Sequence, residues 1–342
     1  MPRLSRQVWH AKLNSSFTQW VTMNKPSSLL APEQRLELLP LDLSAYRRGN
    51  TGVDYCHRFE SGRSGPDVVI IGLTHGNEFC GAHALCELLE QDLRPLRGSL
   101  TLIFNNVTAY QRFDPRRPYA SRCVDEDANR VWLEPRLKHP DSEESHRAAR
   151  LRPLLLEADL VLDLHSTSNP VAPMLIYPEL PDCSALVATL GFPFPQLLYK
   201  LGTYHPGMLI SYAMQHGRRG CHGLVAECGT HFALESAQQA HAITRRLLYR
   251  AGLLAQDAIV PPWGYEPDHS AGHYRIREVI EARTEGFRFS QPFRGFERIP
   301  RGQAYAQDEG PLVASFDNCT LIMPARIPLC GAEAVTLAEF LG

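Results

Sequence analysis

Short apolar runs and helix-like stretches follow one another along most of the chain. An uninterrupted apolar run is typical of a strand buried on both faces, whereas apolar residues that recur every three or four positions are typical of a helix packed on a core. The predicted strands are residues 68–73, 100–104, 160–164, 174–177 and 224–228. The predicted helices are residues 80–91, 144–158, 183–190 and 233–254. Strands that alternate with helices predict an α/β fold, in which helices cover the faces of a central sheet.

Two parts of the chain fall outside this alternation. Residues 1–45 are mixed and polar and contain several prolines, which predicts an N-terminal extension or a cover over the main body. After Pro261-Pro262-Trp263-Gly264 the chain consists of short alternating segments with glycines between them, which is typical of a small β domain. We therefore predict a main α/β domain at residues 46–258 and a smaller β-rich domain at residues 259–342.

Residues that can bind a metal stand at the ends of two predicted strands. His75-Gly76-Asn77-Glu78 follows the strand at 68–73, and His165 closes the strand at 160–164. Open α/β sheets place their ligand sites at the carboxyl ends of the strands. Two histidines and one carboxylate, with a fourth position open, are the ligand set of a hydrolytic zinc site. The pattern predicts a zinc hydrolase with His75, Glu78 and His165 as ligands.

Each of these residues also has a plainer interpretation. His-x-x-Glu is a short pattern that also occurs at a capped helix start with a surface carboxylate. Asp163 and His165 point to the same side of their strand and could be a buried polar pair that holds the strand end. In the metal interpretation, Asp163 accepts the second N–H of a metal-bound imidazole.

Three further residues are candidates for the chemistry. Glu227 ends the strand at 224–228 and is placed to act as the general base for a zinc-bound water, although it could equally be an ordinary strand-end carboxylate. Arg122 and Arg130 flank acidic residues in a long loop. Arginines and acidic residues in loops of this composition usually form solvated salt bridges. In the functional interpretation, one guanidinium stabilises an oxyanion and the other binds a substrate carboxylate.

The remaining composition excludes several other classes of protein. A net charge of -2 gives no electrostatic basis for binding nucleic acid or an anionic membrane. No apolar run approaches the roughly 20 residues of a membrane span, and no signal peptide is visible at the N-terminus. The nine cysteines are an odd number without a Cys-x-x-Cys pair, so a reducing cytoplasmic location is expected. Ser166-Thr167-Ser168 lacks the Gly-x-Ser-x-Gly pattern of a serine nucleophile.

Four short motifs together resemble the succinylglutamate desuccinylase/aspartoacylase family of the zinc carboxypeptidase-like enzymes. They occur in the order typical of that family, within residues 45–330. The motifs are His75-Gly76-Asn77-Glu78, Asp127-Ala128-Asn129-Arg130, Asp163-Leu164-His165 and Ala226-Glu227-Cys228-Gly229. The resemblance implies a mixed central sheet flanked by helices, followed by a smaller β-rich domain that narrows the cleft. It also implies one zinc ion per chain, bound by His75, Glu78 and His165.

The same resemblance implies roles for the other candidates. Glu227 is expected to be the general acid/base and Arg122 to polarise the scissile carbonyl. Asn129 and Arg130 are expected to bind a carboxylate of the substrate. The implied reaction is cleavage of the amide bond of a small N-acylated amino acid or related carboxylated amide.

The chain departs from the family in two places. Aspartoacylases contribute a tyrosine from the C-terminal domain to carboxylate binding, and no tyrosine follows Tyr305 here. Their additional substrate arginine has only a loose counterpart, Arg218 or Arg219.

A metallocarboxypeptidase of short peptides and a non-catalytic carboxylate-binding protein stay open as alternatives. The sequence allows a homo-oligomer without indicating one.

Overall fold

A computed structural model describes residues 36–256 and 270–342. Within them, eleven strands form one sheet in the order β1-β3-β2-β4-β7-β5-β6-β8-β14-β13-β10, and three more form a small sheet in the order β12-β11-β9. The strands of the α/β part are β1 Cys56–Glu60, β2 Asp67–Gly72, β3 Ser99–Phe104, β4 Leu160–Thr167, β5 Met174–Pro178, β6 Gln196–Tyr199 and β7 His222–Thr230. The later strands are β8 His273–Glu281, β9 Arg288–Phe289, β10 Arg298–Ile299, β11 Ala304–Gln307, β12 Pro311–Val313, β13 Cys319–Ile322 and β14 Glu333–Phe340.

The centre of the large sheet consists of the parallel strands β3, β2, β4 and β7. Every residue of β3 and β4 is buried, because helices cover both faces of the sheet. This is why these strands are uninterrupted apolar runs in the sequence. Strands β1 and β5 pair antiparallel with β3 and β7, so the sheet is mixed. The predicted α/β fold is confirmed.

The helices divide between the two faces of the sheet. They are α1 Phe79–Glu90, α2 Val107–Tyr110, α3 Glu134–Lys138, α4 Glu143–Leu156, α5 Pro181–Leu190, α6 Leu209–His216 and α7 Leu234–Arg250. Alternate residues of β2 belong to different cores: Val68 and Ile70 pack in the core that contains α1 and α7. Val69 and Ile71 pack in the core that contains α4 and α6. The side chains of a strand alternate between its faces, so one strand supplies both cores.

The predicted helices are present within a few residues of their expected bounds. The last one ends at Arg250, earlier than the predicted 254. Strand β6 and helix α6 lie in a region for which the sequence pattern predicted no element.

The C-terminal strands continue the large sheet. Strand β8 pairs parallel with β6, and β14, β13 and β10 follow it outwards. A separate apolar core nevertheless fills the C-terminal part, around Phe287, Tyr305 and Leu337. The predicted boundary at residues 258 and 259 lies outside the described residues, so the division into domains stays a prediction.

The described end of the predicted N-terminal extension packs on the body of the protein. Leu38 and Leu43 are buried in the core that contains α1 and α7. The backbone N–H groups of Glu37 and Leu38 donate to the carbonyl of Phe232. All nine cysteines are free thiols. Among the helices of the described residues, none is long and apolar enough to cross a membrane.

Candidate metal centre and active site

The loop after β2 is held against the loop that carries Arg122. Gly76 donates its backbone N–H to the carbonyl of Arg122 at 2.9 Å. A Cβ atom at position 76 would lie 2.4 Å from the carbonyl oxygen of Ser121 and 2.5 Å from the backbone nitrogen of Tyr110. Only glycine allows this close approach of the two loops. Gly76 therefore brings Arg122 to the same place as His75 and Glu78.

The three predicted ligands converge in the structure. One ligand atom from each of His75, Glu78 and His165 lies within 4.8 Å of the other two, and all three residues are buried. The Glu78 carboxylate lies between the imidazoles: Oε1 is 2.8 Å from His75 Nδ1, and Oε2 is 3.0 Å from His165 Nδ1. A buried carboxylate is stable only with strong partners, and two nitrogens and an oxygen that face one another suit a tetrahedral zinc ion.

A second carboxylate lies behind each imidazole. His75 Nε2 is 3.0 Å from Asp127 Oδ1, and His165 Nε2 is 2.9 Å from Asp163 Oδ2. Asp163 in turn accepts a hydrogen bond from Thr74 Oγ1 at 2.7 Å. Metal-binding histidines commonly present their other nitrogen to a carboxylate in this way, which fixes the tautomer and the ring orientation. The position of Asp163 agrees with its predicted contact to His165.

Sequence reasoning missed the contact of Asp127 with His75. The sequence shows Asp127 as one of the acidic residues between two arginines and as the first residue of a family motif, without a role of its own. The partner residues are 52 positions apart, and Asp127 lies in a loop without periodicity. The one available signal was its place two residues before Asn129 in a motif of the resemblance.

Arg122 contacts the cluster of His75, Glu78 and His165 directly. Its Nη1 donates to Glu78 Oε1 at 3.2 Å, and its Nη2 donates to Asp127 Oδ2 at 2.9 Å. The side chain is 42% exposed, so part of the guanidinium faces solvent. A cation held beside the cluster and partly exposed could stabilise negative charge on a bound molecule.

Glu227 lies on β7 directly opposite His165 on β4. Its Oε2 atom is buried and has no hydrogen-bond partner among the described residues. Burial, aided by the negative charge of Glu78, raises the pKa of Glu227 to about 8, although the charges of His165 and Arg122 oppose the shift. A buried carboxyl group with a pKa near neutrality is a candidate proton donor and acceptor.

A serine and a histidine support the carboxylate of Glu78. The backbone N–H of Ser166 donates to Glu78 Oε2 at 3.1 Å. The hydroxyl of Ser166 lies 2.7 Å from His231 Nδ1. Burial lowers the pKa of His231 to about 4, so this imidazole is neutral at physiological pH. The sequence did not single out His231.

Asn129 and Arg130 lie in the loop between Asp127 and α3. The side-chain oxygen of Asn129 accepts the backbone N–H of Leu209, the first residue of α6, at 2.9 Å. The NH₂ group of the Asn129 side chain is therefore the group that can donate a hydrogen bond to a bound carboxylate. Arg130 Nη1 donates to the carbonyl of Asn129 at 2.9 Å, and Nη2 lies 3.7 Å from Glu333 Oε2.

The two loose counterparts of family residues lie elsewhere. Arg218 forms ion pairs with Asp67, the first residue of β2, and with Asp159, which precedes β4. Arg218 therefore lies at the amino ends of these strands. His75 follows the carboxyl end of β2, so Arg218 is not part of the candidate site. Arg219 follows it in the same turn before β7. Tyr305 is buried in the C-terminal core.

The family of this chain follows from comparison with known proteins. The model of the succinylglutamate desuccinylase/aspartoacylase catalytic domain matches residues 64–250, more than half of the chain and all of the site. The chain belongs to this family. A comparison of the sequence with curated proteins found no match.

The fold of this chain is similar to the folds of solved structures. The succinylglutamate desuccinylase from Chromobacterium violaceum is 20% identical, with a TM-score of 0.61 over 85% of this chain and 89% of that chain. The succinylglutamate desuccinylase/aspartoacylase from Rhodobacter sphaeroides is 20% identical, with a TM-score of 0.60 over 82% and 87%. The ectoine utilization protein EutE (DoeB) from Ruegeria pomeroyi is 18% identical, with a TM-score of 0.58 over 83% and 88%. At these identities the likeness shows the fold that the sequence predicted.

Proposed function

We propose that this protein is a zinc-dependent hydrolase that cleaves the amide bond of a small N-acylated amino acid. The observation that carries the proposal is the buried cluster of His75, Glu78 and His165, with a carboxylate behind each imidazole and with Arg122 and Glu227 beside it. The predicted single zinc ion per chain and the cytoplasmic location belong to this proposal. Membership of a family named for two deacylases supports the type of bond.

The residues of the cluster fit a zinc ion by their chemistry. The donors are two imidazole nitrogens and a carboxylate, and the outer nitrogen of each ring faces a carboxylate, of Asp127 or Asp163, so each Nδ1 is directed to the cluster. When bound, zinc supplies an acidic water and polarises a carbonyl oxygen. The buried Oε2 of Glu227, without a partner, adds a place where a proton can be held.

Glu227 is the residue proposed to move the proton. As a carboxylate it accepts a proton from the attacking water, and as a carboxylic acid it returns that proton to the leaving nitrogen. The pKa of about 8 refers to the protein without a metal ion. A cation beside the carboxyl group lowers that pKa towards neutrality, which favours the ionised form at the start of the reaction.

The two arginines have different proposed tasks. Arg122, which already contacts Glu78, stabilises the negative charge that develops on the amide oxygen. Arg130 and the NH₂ group of Asn129 bind the carboxylate of the amino-acid half, which fixes the amide bond over the cluster.

The first test is the substitution Glu227→Ala in zinc-loaded protein. We expect the release of free amine from N-acyl amino acids to fall at least about 100-fold, because general acid–base catalysis contributes that much or more. Zinc content, measured by metal analysis, should stay near one per chain. Glu339→Ala is the matched control, because Glu339 forms ion pairs with Arg275 and Arg277 on the C-terminal strands.

The outcomes separate this proposal from its alternatives. Loss of zinc in the Glu227 variant would make Glu227 a ligand and not the base. Hydrolysis of short peptides in preference to N-acyl amino acids would identify a metallocarboxypeptidase. Zinc bound without hydrolysis across a broad amide panel would identify a carboxylate-binding protein.

A further inference from the structure

Arg130 meets an acidic residue of the C-terminal part. Glu333, the first residue of β14, places Oε2 3.0 Å from His205 Nε2 and 3.7 Å from Arg130 Nη2. Its Oε1 accepts a hydrogen bond from Thr336 Oγ1 at 2.6 Å. The residue proposed to bind the substrate carboxylate is therefore already near a carboxylate of the chain itself.

This group of charges borders the proposed active site. The backbone N–H of Arg130 donates to the carbonyl of Asp127 at 2.9 Å, and the carboxylate of Asp127 contacts His75 and Arg122. Tyr204 is buried and is influenced by charges of both groups. Burial raises the pKa of its hydroxyl, and the negative charges of Glu333 and Glu227 both add to the shift.

The loop that carries His205 is fixed in an unusual backbone conformation. His205 has φ 42°, in the left-handed region that non-glycine residues seldom adopt. Two residues later, a Cβ atom at Gly207 would lie 2.2 Å from the carbonyl oxygen of Arg130. The loop is thus packed directly on Arg130, and it presents the imidazole of His205 to Glu333.

The charges at this end of the cleft limit the anions it can bind. Among the described arginines, Arg122 and Arg130 are those that contact site residues; Arg122 is shared by Glu78 and Asp127, and Arg130 lies beside Glu333. An N-acylated aspartate or glutamate brings two carboxylates. One of them can approach Arg130, but the second would lie near Glu333 without a further arginine, and like charges in such a site are strongly disfavoured.

The carboxylate of Glu333 has room for one more partner. An ionised carboxylate has about four acceptor positions. Thr336 occupies one on Oε1, and His205 and, at a longer distance, Arg130 lie at Oε2. The side chain is 28% exposed, so a donor group of a bound molecule can reach it.

We propose that Glu333 selects an N-acyl amino acid whose side chain carries a positively charged amine, and that it discriminates against substrates with a second carboxylate. In this arrangement Arg130 binds the α-carboxylate and Glu333 binds the side-chain ammonium group. The inference rests on the proposed function, because it specifies the amino-acid half of the proposed substrate.

The test compares Nα-acetyl-ornithine and Nα-acetyl-lysine with N-acetyl-aspartate and N-acetyl-glutamate on the zinc-loaded protein. We expect kcat/KM for the cationic pair to exceed that for the anionic pair by at least about tenfold. Glu333→Gln keeps the shape of the side chain and the acceptor for Thr336 but removes the charge. It should reduce this ratio by about tenfold or more, chiefly through KM, whereas the control Glu339→Gln should leave the ratio unchanged.

Binding of the free amino acids, measured by calorimetry, provides a readout that does not depend on turnover. Ornithine should bind the wild type more tightly than aspartate, and Glu333→Gln should abolish the difference. If Glu333→Gln does not fold, Glu333→Asp keeps the charge and should keep the order of preference. The inference would be overturned if the wild type preferred the anionic substrates. It would also be overturned if the ratio of kcat/KM for cationic over anionic substrates were the same in the wild type and in Glu333→Gln. Charge-dependent binding without any hydrolysis would uphold it and reject the proposed function instead.

Discussion

At the scale of single residues, the site depends on buried charges that neutralise one another. Glu78 is 2% exposed, yet it faces two imidazoles, one guanidinium and a backbone N–H. Each of these contacts lowers the cost of burying the carboxylate, and removing one partner leaves the others with an uncompensated charge. The cluster therefore responds to substitutions outside the three proposed ligands.

Asp127 provides a test of this dependence on residues outside the proposed ligands. We expect Asp127→Asn to weaken zinc binding by about 10- to 100-fold, because the charge behind the His75 imidazole is lost and Arg122 loses a partner. Competition with a chromophoric chelator measures the change. The control is Asp125→Asn, because Asp125 accepts a hydrogen bond from the exposed start of α4. Equal zinc affinity in both variants would contradict a role for Asp127 in orienting His75.

At the scale of elements, the site depends on how closely two loops approach each other. Helix α1 begins at Phe79, directly after Glu78, so the turn from β2 to α1 delivers both His75 and Glu78. The Arg122 loop packs on this turn where a side chain would not fit. The parallel register of β4 and β7 then places His165 beside Glu227. Three neighbouring strands and one loop contact thus assemble most of the candidate site.

Gly76→Ala tests that loop contact. The added methyl group would lie well inside the contact distance of two backbone atoms, so we expect a loss of about 1–3 kcal/mol in the free energy of unfolding. Zinc affinity should fall with it, because Arg122 and His75 move apart. Gly310→Ala is the control: its methyl group would meet nothing within 4 Å, and its denaturation midpoint should match that of the wild type. A Gly76 variant as stable as the control would show that the loops can separate without cost.

At the scale of the whole molecule, the C-terminal strands act as a continuation of the α/β sheet. Tyr274, Ile322 and Ala338 from this part belong to the same apolar core as Val69 and Ile71 of the central strand. The contact of Glu333 with His205 and Arg130 adds a polar connection near the cleft. The part of the chain after residue 270 therefore shares a core with the central strands and contacts Arg130, a proposed substrate-binding residue.

The stability of this connection should depend on pH. Burial by itself raises the pKa of Glu333, but the contacts with His205, Thr336 and Arg130 outweigh it and hold the pKa below its ordinary value of 4.5. A carboxyl group with a lowered pKa stabilises the folded state fully above the unfolded value and loses this contribution as the pH falls through the folded value. We expect the difference in melting temperature between wild type and Glu333→Gln to be constant from pH 7 to about 5 and to shrink below it. A difference that grows on acidification would contradict this coupling.

Much of the fold and the proposed metal ligands could be predicted from the sequence because their signals are local. The strands that carry His75, His165 and Glu227 are apolar runs, and each of these residues stands at or just beyond the run. Strand β6 was missed because it is only four residues long and follows two prolines. Short elements of this kind are stabilised by their neighbours in the sheet, and their own sequence carries little periodicity.

Only the tertiary structure decided which charges meet across the fold. Asp127 reaches His75, and Glu333 reaches Arg130, from loops and strand starts that carry no periodic signal. The energy of an ion pair depends on the distance between the two groups and on their burial, and neither quantity is set by the residues that adjoin them in the chain. The sequence alone therefore determined the type of centre this protein can form, and the folded chain determined the charges that surround its cleft.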